Sequence, residues 1–393
     1  MQAFYILQDP YANGYYPEWR HPADHNDNDR PLGRGGWVGV RNYELDSGAY
    51  FLNLLWNYAN TPGLYRPEAL IAEPIVFEAA HLMVKTWAVE QRHNASTSPY
   101  KFGELQGGGV GTPVGYTGMI WSGFRPSDDA NTYGFSIPSN MYAAGALERA
   151  LELNRAIWKS EAFSRDAGKL LRDVVEGIER WGVVSPPDDP SIKIYAYEVD
   201  GLGHTLSDFD DPNWPSLVSM PLLGYERYDT QIYAATRARL LSTKNQFWFE
   251  GEVFKGMGSP HTSQGMAWAL GTLSEAFTAP TPADRAATLR LLLKLQCGDG
   301  LMHESINVNN LEQCTRRWFE WANALLTVAA EHLVGLDCDA EAERRHRDAV
   351  AQRERYPEEA NNKYFHQSIE SAVQWDVEYK PRVEAWQGIG HLI

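Results

Sequence analysis

Leu45-Asp-Ser-Gly-Ala-Tyr-Phe-Leu-Asn-Leu-Leu-Trp-Asn-Tyr-Ala-Asn60 sets Leu45, Ala49, Leu52, Trp56 and Ala59 three or four residues apart. That spacing predicts a helix with a broad apolar face, which another helix has to cover. Similar segments follow at 73–90, 139–158, 164–182, 226–242, 263–278, 282–297, 316–334 and 339–354. Ser139 supplies a capping signal for one, and Pro-Thr-Pro-Ala-Asp at 280–284 opens another. Period-2 alternation is scarce, although 192–199 reads as a short strand.

Between these helices run Gly-, Pro-, Asp- and Trp-rich stretches at 8–40, 94–138, 184–215 and 298–315. Loops this long are uncommon in a compact domain unless they carry function. The expectation is an all-α fold of helical hairpins around an axis, a toroid, with its long loops gathered on one face around a concave site. Residues 1–336 read as the catalytic domain, and 337–393 as a C-terminal helical extension packed on it.

Composition narrows the function. The 393 residues carry a formal net charge of −16 with scattered acids, so nucleic acid is not an expected partner. No apolar run reaches the roughly 20 residues a bilayer requires, and MQAFYILQDP lacks the basic and apolar regions of a signal peptide. Cys297, Cys314 and Cys338 make neither a disulfide framework nor a CxxC site, so the reducing cytoplasm is the expected compartment. Fourteen Trp and twenty Tyr, many in polar loops, hint at sugar stacking.

Two acidic strings carry the chemistry. Trp121-Ser-Gly-Phe-Arg-Pro-Ser-Asp-Asp129 puts adjacent carboxylates beside Arg125, and Gly300-Leu-Met-His-Glu-Ser305 places Glu304 in a loop after a helix. Glycoside hydrolysis needs two carboxyl groups, one protonated to expel the leaving oxygen and one to attack or to activate water. His204 and His261 lie in glycine-shaped turns with hydroxyl neighbours, and Arg316 adjoins Arg317, Trp318 and Phe319, so these are candidates for sugar hydroxyls. The string Met302-His-Glu-Ser305 lacks the second His of HExxH, so no metal is expected, and no GxSxG elbow occurs.

These strings join Asp9-Pro-Tyr-Ala-Asn13, Tyr43-Glu-Leu-Asp-Ser47, Ile137-Pro-Ser-Asn-Met141, Pro215–Tyr225, Gly258-Ser-Pro-His-Thr262 and Trp318-Phe-Glu-Trp-Ala-Asn323 in one order. Together they resemble glycoside hydrolase family 125, the exo-α-1,6-mannosidases with an (α/α)6 fold, over about residues 5–335. The resemblance implies a cofactor-free, inverting hydrolase acting on non-reducing terminal α-1,6-mannose of oligosaccharides or N-glycan fragments. An Asp of the pair Asp128–Asp129 would be the general acid, with Asp128 preferred, and Glu304 the base. Arg125, Tyr43, Asp46, His204, His261, His303, Arg316, Trp318 and Trp321 would hold the substrate.

Family members usually carry an upstream Trp-Leu-Arg-Asp-Ser segment. The expectation is therefore a toroid incomplete at its N-terminus, by about one hairpin. Two other readings stay open: a mannoside-binding homologue without turnover, and an (α/α)6 glycosidase for another sugar.

Overall fold

The computed structural model describes residues 1–21, 36–61, 64, 66–94 and 96–334. The main helices are α1 (Gln2–Gln8), α2 (Leu45–Asn60), α3 (Pro74–Glu90), α4 (Ile137–Leu153) and α5 (Glu161–Trp181). They continue with α6 (Thr230–Leu240), α7 (Ala269–Phe277), α8 (Pro282–Leu292) and α9 (Glu320–Val334). All but α1 were legible as helical periodicity, and their ends explain the differences. Helix α4 is capped by Ser136, whose side chain accepts from the Ser139 backbone, so it starts earlier than expected. Its last turn opens into a π-turn, Asn154–Trp158, before Ser160 caps α5.

Packing makes the hairpins. Helix α4 lies against α5, α3 lies against both α1 and α5, and α7 is flanked by α8 and α9. Phe163, Ala167, Leu170, Val174 and Ile178 form the buried stripe of α5. Close approach needs glycine at Gly177, where an added Cβ would stand 2.6 Å from the Thr117 carbonyl oxygen. Under the loop that follows Thr117, Tyr11, Tyr43, Tyr100 and Trp121 pack ring on ring. Buried Glu90 ties that shell together, accepting from the Tyr11 hydroxyl (2.7 Å) and Ser98 (2.6 Å) and meeting His93 Nδ1 at 2.6 Å.

Short sheets, largely unmarked by periodicity, brace the loops. Strands β1 (Phe135–Ser136), β2 (Glu198–Val199) and β3 (Thr205–Leu206) form one antiparallel sheet in that order. The hairpin β4 (Trp248–Glu250) and β5 (Lys255–Met257) is followed by the sheet β6 (Met266–Trp268), β7 (Ser305–Asn307) and β8 (Asn310–Cys314). Two- and three-residue strands bury too few alternating side chains to announce themselves. The expected helix at 263–278 is split accordingly, its first turns being β6. The strand expected at 192–199 is two pieces, Ile194–Tyr195 and Glu198–Val199.

One cysteine expectation is overturned. Cys297 and Cys314 form a disulfide with Cα atoms 6.4 Å apart, because β8 folds back beside the turn after α8. Seventeen residues of separation concealed that pairing in the sequence. Nearly all of the described residues belong to one compact unit, Met1–Ala59 with Glu68–Gly335. The helix expected at 339–354 and the extension at 337–393 lie outside the described residues. No described helix is long and apolar enough to cross a membrane.

Candidate active site

The loop Trp121–Asp129 is held from three sides. Asn140 of α4 accepts from the Ile120 amide (2.8 Å) and donates back to the Ile120 carbonyl (2.9 Å). The amides of Gly123 and Phe124 donate to the Tyr43 carbonyl, each at 3.1 Å. Phe124 thereby bridges Glu44, and the loop lies along the start of α2. The Arg125 amide donates to the Asp129 carbonyl at 2.8 Å, closing a turn in which Asp128 has a φ of 67°. Aspartate tolerates that left-handed conformation better than most residues. The two adjacent acids therefore enter different surroundings.

Asp128 is exposed and belongs to a carboxyl cluster. Asn13 Nδ2 donates to its Oδ1 at 3.3 Å, and buried Glu44 and Asp46 face it. Burial, then the charges of Asp46 and Asp128, push Glu44 well above the usual carboxylate range. Burial, partly offset by a backbone hydrogen bond and aided by the Asp128 charge, pushes Asp46 up to about 7. Glu44 and Asp46 each keep one buried carboxyl oxygen without a hydrogen-bond partner. Tyr50 and Tyr142 pack together beside Asp46, and Tyr50 meets the edge of Trp321 with centroids 6.2 Å apart.

Asp129 sits between an imidazole and a guanidinium. His261 Nδ1 is 3.3 Å from its Oδ1, and Arg125 is 3.5 Å from its Oδ2. Burial would raise Asp129, but the His261 hydrogen bond and the Arg125 charge outweigh it and hold the carboxyl below its ordinary range. In return, the hydrogen bond that His261 donates to Asp129 raises the imidazole above its usual value, against partial burial. Arg125 also faces buried Glu198 at 3.6 Å and Asp211 at 3.5 Å. Ser127 donates to Asp211 at 2.6 Å, tying the loop to the stretch before Pro212.

Glu304 completes the constellation. It precedes β7, is buried, and pairs with Arg316 Nε at 3.0 Å. Its charge, like that of Asp129, helps to raise His261. Trp268, in edge contact with both His261 and Phe319, lines the same region. Two carboxyl groups on separate loops thus meet different neighbours, Asp128 beside buried acids raised above the ordinary carboxylate range and Glu304 beside a guanidinium.

A family model described as metal-independent alpha-mannosidase (GH125) matches residues 1–330. The chain belongs to glycoside hydrolase family 125. Among family 125 relatives of known structure is a Streptococcus pneumoniae metal-independent α-mannosidase, in a non-productive substrate complex with α-1,6-mannobiose. It superposes with a TM-score of 0.78 at 34% identity, covering 85% of this chain and 78% of that one. This match carries the (α/α)6 fold. The meiotically up-regulated gene 157 protein of Schizosaccharomyces pombe is 32% identical over 343 residues. That alignment takes in 82% of this chain and 66% of the yeast protein, so this family 125 chain spans about two thirds of that relative's length.

Of the residues expected in this family 125 site, Asp46, Arg125, Asp128, Asp129, His261, Glu304 and Arg316 fall into the linked clusters above, with Trp321 joined through Tyr50. Tyr43 is buried in the aromatic shell, and its backbone carbonyl seats the acidic loop. His303 is fully buried, its Nε2 turned toward Gln296 and Asp299. His204 pairs with Asp200 and stacks on Tyr133, and Trp318 is 69% exposed. Sequence reasoning missed Asn13, Glu44, Glu198 and Asp211. Glu44 stands inside a quoted string and Asp211 in a Gly-, Pro- and Asp-rich loop, but no spacing rule marks either one.

Proposed function

We propose that the chain is an inverting exo-acting α-mannosidase that removes non-reducing terminal α-1,6-linked mannose from oligosaccharides or N-glycan fragments. The observation that carries this reading is the split between the two acidic neighbourhoods. Asp128 is the acid in contact with the buried Glu44 and Asp46 carboxyls, which burial raises above the ordinary carboxylate range, and that cluster can supply the proton a general acid must deliver. Asp129 is unsuited to that role, because His261 and Arg125 hold it ionised. It serves instead as the counter-charge that orients both side chains.

Asp128 then protonates the glycosidic oxygen while Glu304, kept in place by Arg316, takes a proton from the attacking water. Water arriving opposite the leaving group inverts the anomeric centre, which needs the two carboxyls about 6.5–9.5 Å apart. Asp46, His261 and Arg316 would bind sugar hydroxyls, and the Tyr50–Trp321 edge would flank a pyranose face. The mannobiose held by the Streptococcus relative supports the choice of sugar and linkage. The compartment turns on Cys297 and Cys314: their disulfide suits an oxidising environment, and their thiols suit the cytoplasm expected from the sequence.

Release of mannose from α-1,6-mannobiose, with the anomer followed by NMR, tests the proposal. β-Mannose should appear first and mutarotate later. First appearance of α-mannose would overturn inversion. Calorimetric binding without release would favour the sugar-binding reading, and faster cleavage of an aryl α-glucoside would favour another sugar.

A further inference from the structure

Outside the carboxyl clusters, one group of side chains has the donors and spacing of a metal site. Cys297 Sγ, Cys314 Sγ and a ring nitrogen of His303 all lie within 4.8 Å of one another. Two sulfurs and an imidazole are the donor types that select zinc, with Zn–S near 2.3 Å and Zn–N about 2.0–2.1 Å. Ligands around one tetrahedral ion are then roughly 3.5–4 Å apart, within reach of the observed spacing after small side-chain rotations.

His303 is already arranged as a ligand. The ring is fully buried, and its Nε2 faces the Asp299 carboxylate at 3.0 Å and the Gln296 carbonyl at 3.3 Å. Its Nδ1 is buried without a hydrogen-bond partner. A metal-bound histidine commonly donates its second N–H to a carboxylate or carbonyl, which fixes the tautomer and frees the other nitrogen for the ion. An orphaned ring nitrogen in a packed interior is otherwise costly.

We propose that Cys297, His303 and Cys314 form a zinc site in the reduced protein, exclusive with the Cys297–Cys314 disulfide. A dithiol reductant supplies two electrons and two protons, breaking the S–S bond to give two thiols and leaving as its own disulfide. Zinc then displaces both thiol protons and binds two thiolates and His303 Nδ1, with water in the fourth position. The ion touches no substrate. Its place explains why either cross-link is useful here. Glu304 follows His303 directly, and its partner Arg316 lies two residues beyond Cys314, so zinc would clamp both ends of the Arg316–Glu304 pair, whereas the disulfide ties only the Cys314 end, to Cys297.

The test compares reduced and oxidised wild-type protein after zinc exposure and desalting, with bound metal counted by mass spectrometry. The reduced protein should hold about one zinc per chain and the oxidised protein none. Cobalt loading of the reduced form should give thiolate-to-cobalt charge-transfer absorption, and a chelator should lower the Tm of the zinc-loaded form alone. His303→Gln should weaken zinc affinity by at least about tenfold. Equal zinc content in both redox states of the wild type, a comparison that needs no variant to fold, would overturn the proposal. Unchanged zinc affinity in His303→Gln would overturn the ligand set.

Discussion

At Asp128 and Asp129, neighbours in the chain, burial and pairing separate two chemically identical side chains. Asp128→Asn should lower kcat on mannobiose by about 10²–10⁴-fold. The loss should be far smaller on a dinitrophenyl mannoside, whose leaving group needs no proton. Equal losses on both substrates would remove Asp128 from the acid role. Glu304→Gln should lower turnover on both substrates alike, since water activation is common to them. Asp129→Asn removes the leading cause of the raised His261 value. An NMR titration of His261 in that variant should find its pKa moved down, and an unmoved value would refute the pairing.

The elements act as rulers for these residues. Helix α5 brings Gly177 against the Thr117 carbonyl, and the chain leaving Thr117 becomes the acidic loop within four residues. Gly177→Ala would place a methyl group 2.6 Å from that oxygen and 2.8 Å from Met119 Cγ, so helix and loop must separate. The expected cost is about 1–3 kcal/mol in urea unfolding, the usual range for overpacking a core. Activity should fall with it, because Asn140 and the Tyr43 carbonyl position the loop from the other side. A variant of wild-type stability would mean that this approach is not tight in solution.

For the whole molecule, the buried carboxyls couple the site to stability. Asp46 titrates near 7 when folded and near its ordinary 3.8 when unfolded. Between those values the folded chain binds a proton that the unfolded chain has released, so stability falls as pH rises through that window. Asp46→Asn carries no such proton. Its Tm relative to wild type should therefore rise by a few degrees between about pH 5 and about pH 8. A gap that stays constant across that range would mean that Asp46 is ionised in the fold. Activity should move the opposite way, the familiar exchange of stability for a charged site.

How far the residues could be read alone depends on range. Apolar spacing in Leu45–Asn60 and its counterparts specified the helices, because an amphipathic stripe is a local property of period 3.6. The strings around Asp128–Asp129 and Glu304 pointed to paired-carboxyl sugar chemistry and to the family that carries them. Pairing across the chain was not local. His261 meets Asp129 across 132 residues, Asn13 meets Asp128 across 115, and nothing in the intervening sequence records either contact. The raised pKa of Glu44 and of Asp46, the inward turn of His303 and the joining of Cys297 to Cys314 belong to the same class. Each depends on which charges and surfaces the fold brings within a few ångströms, since desolvation and Coulomb energies follow distance in space, not along the chain.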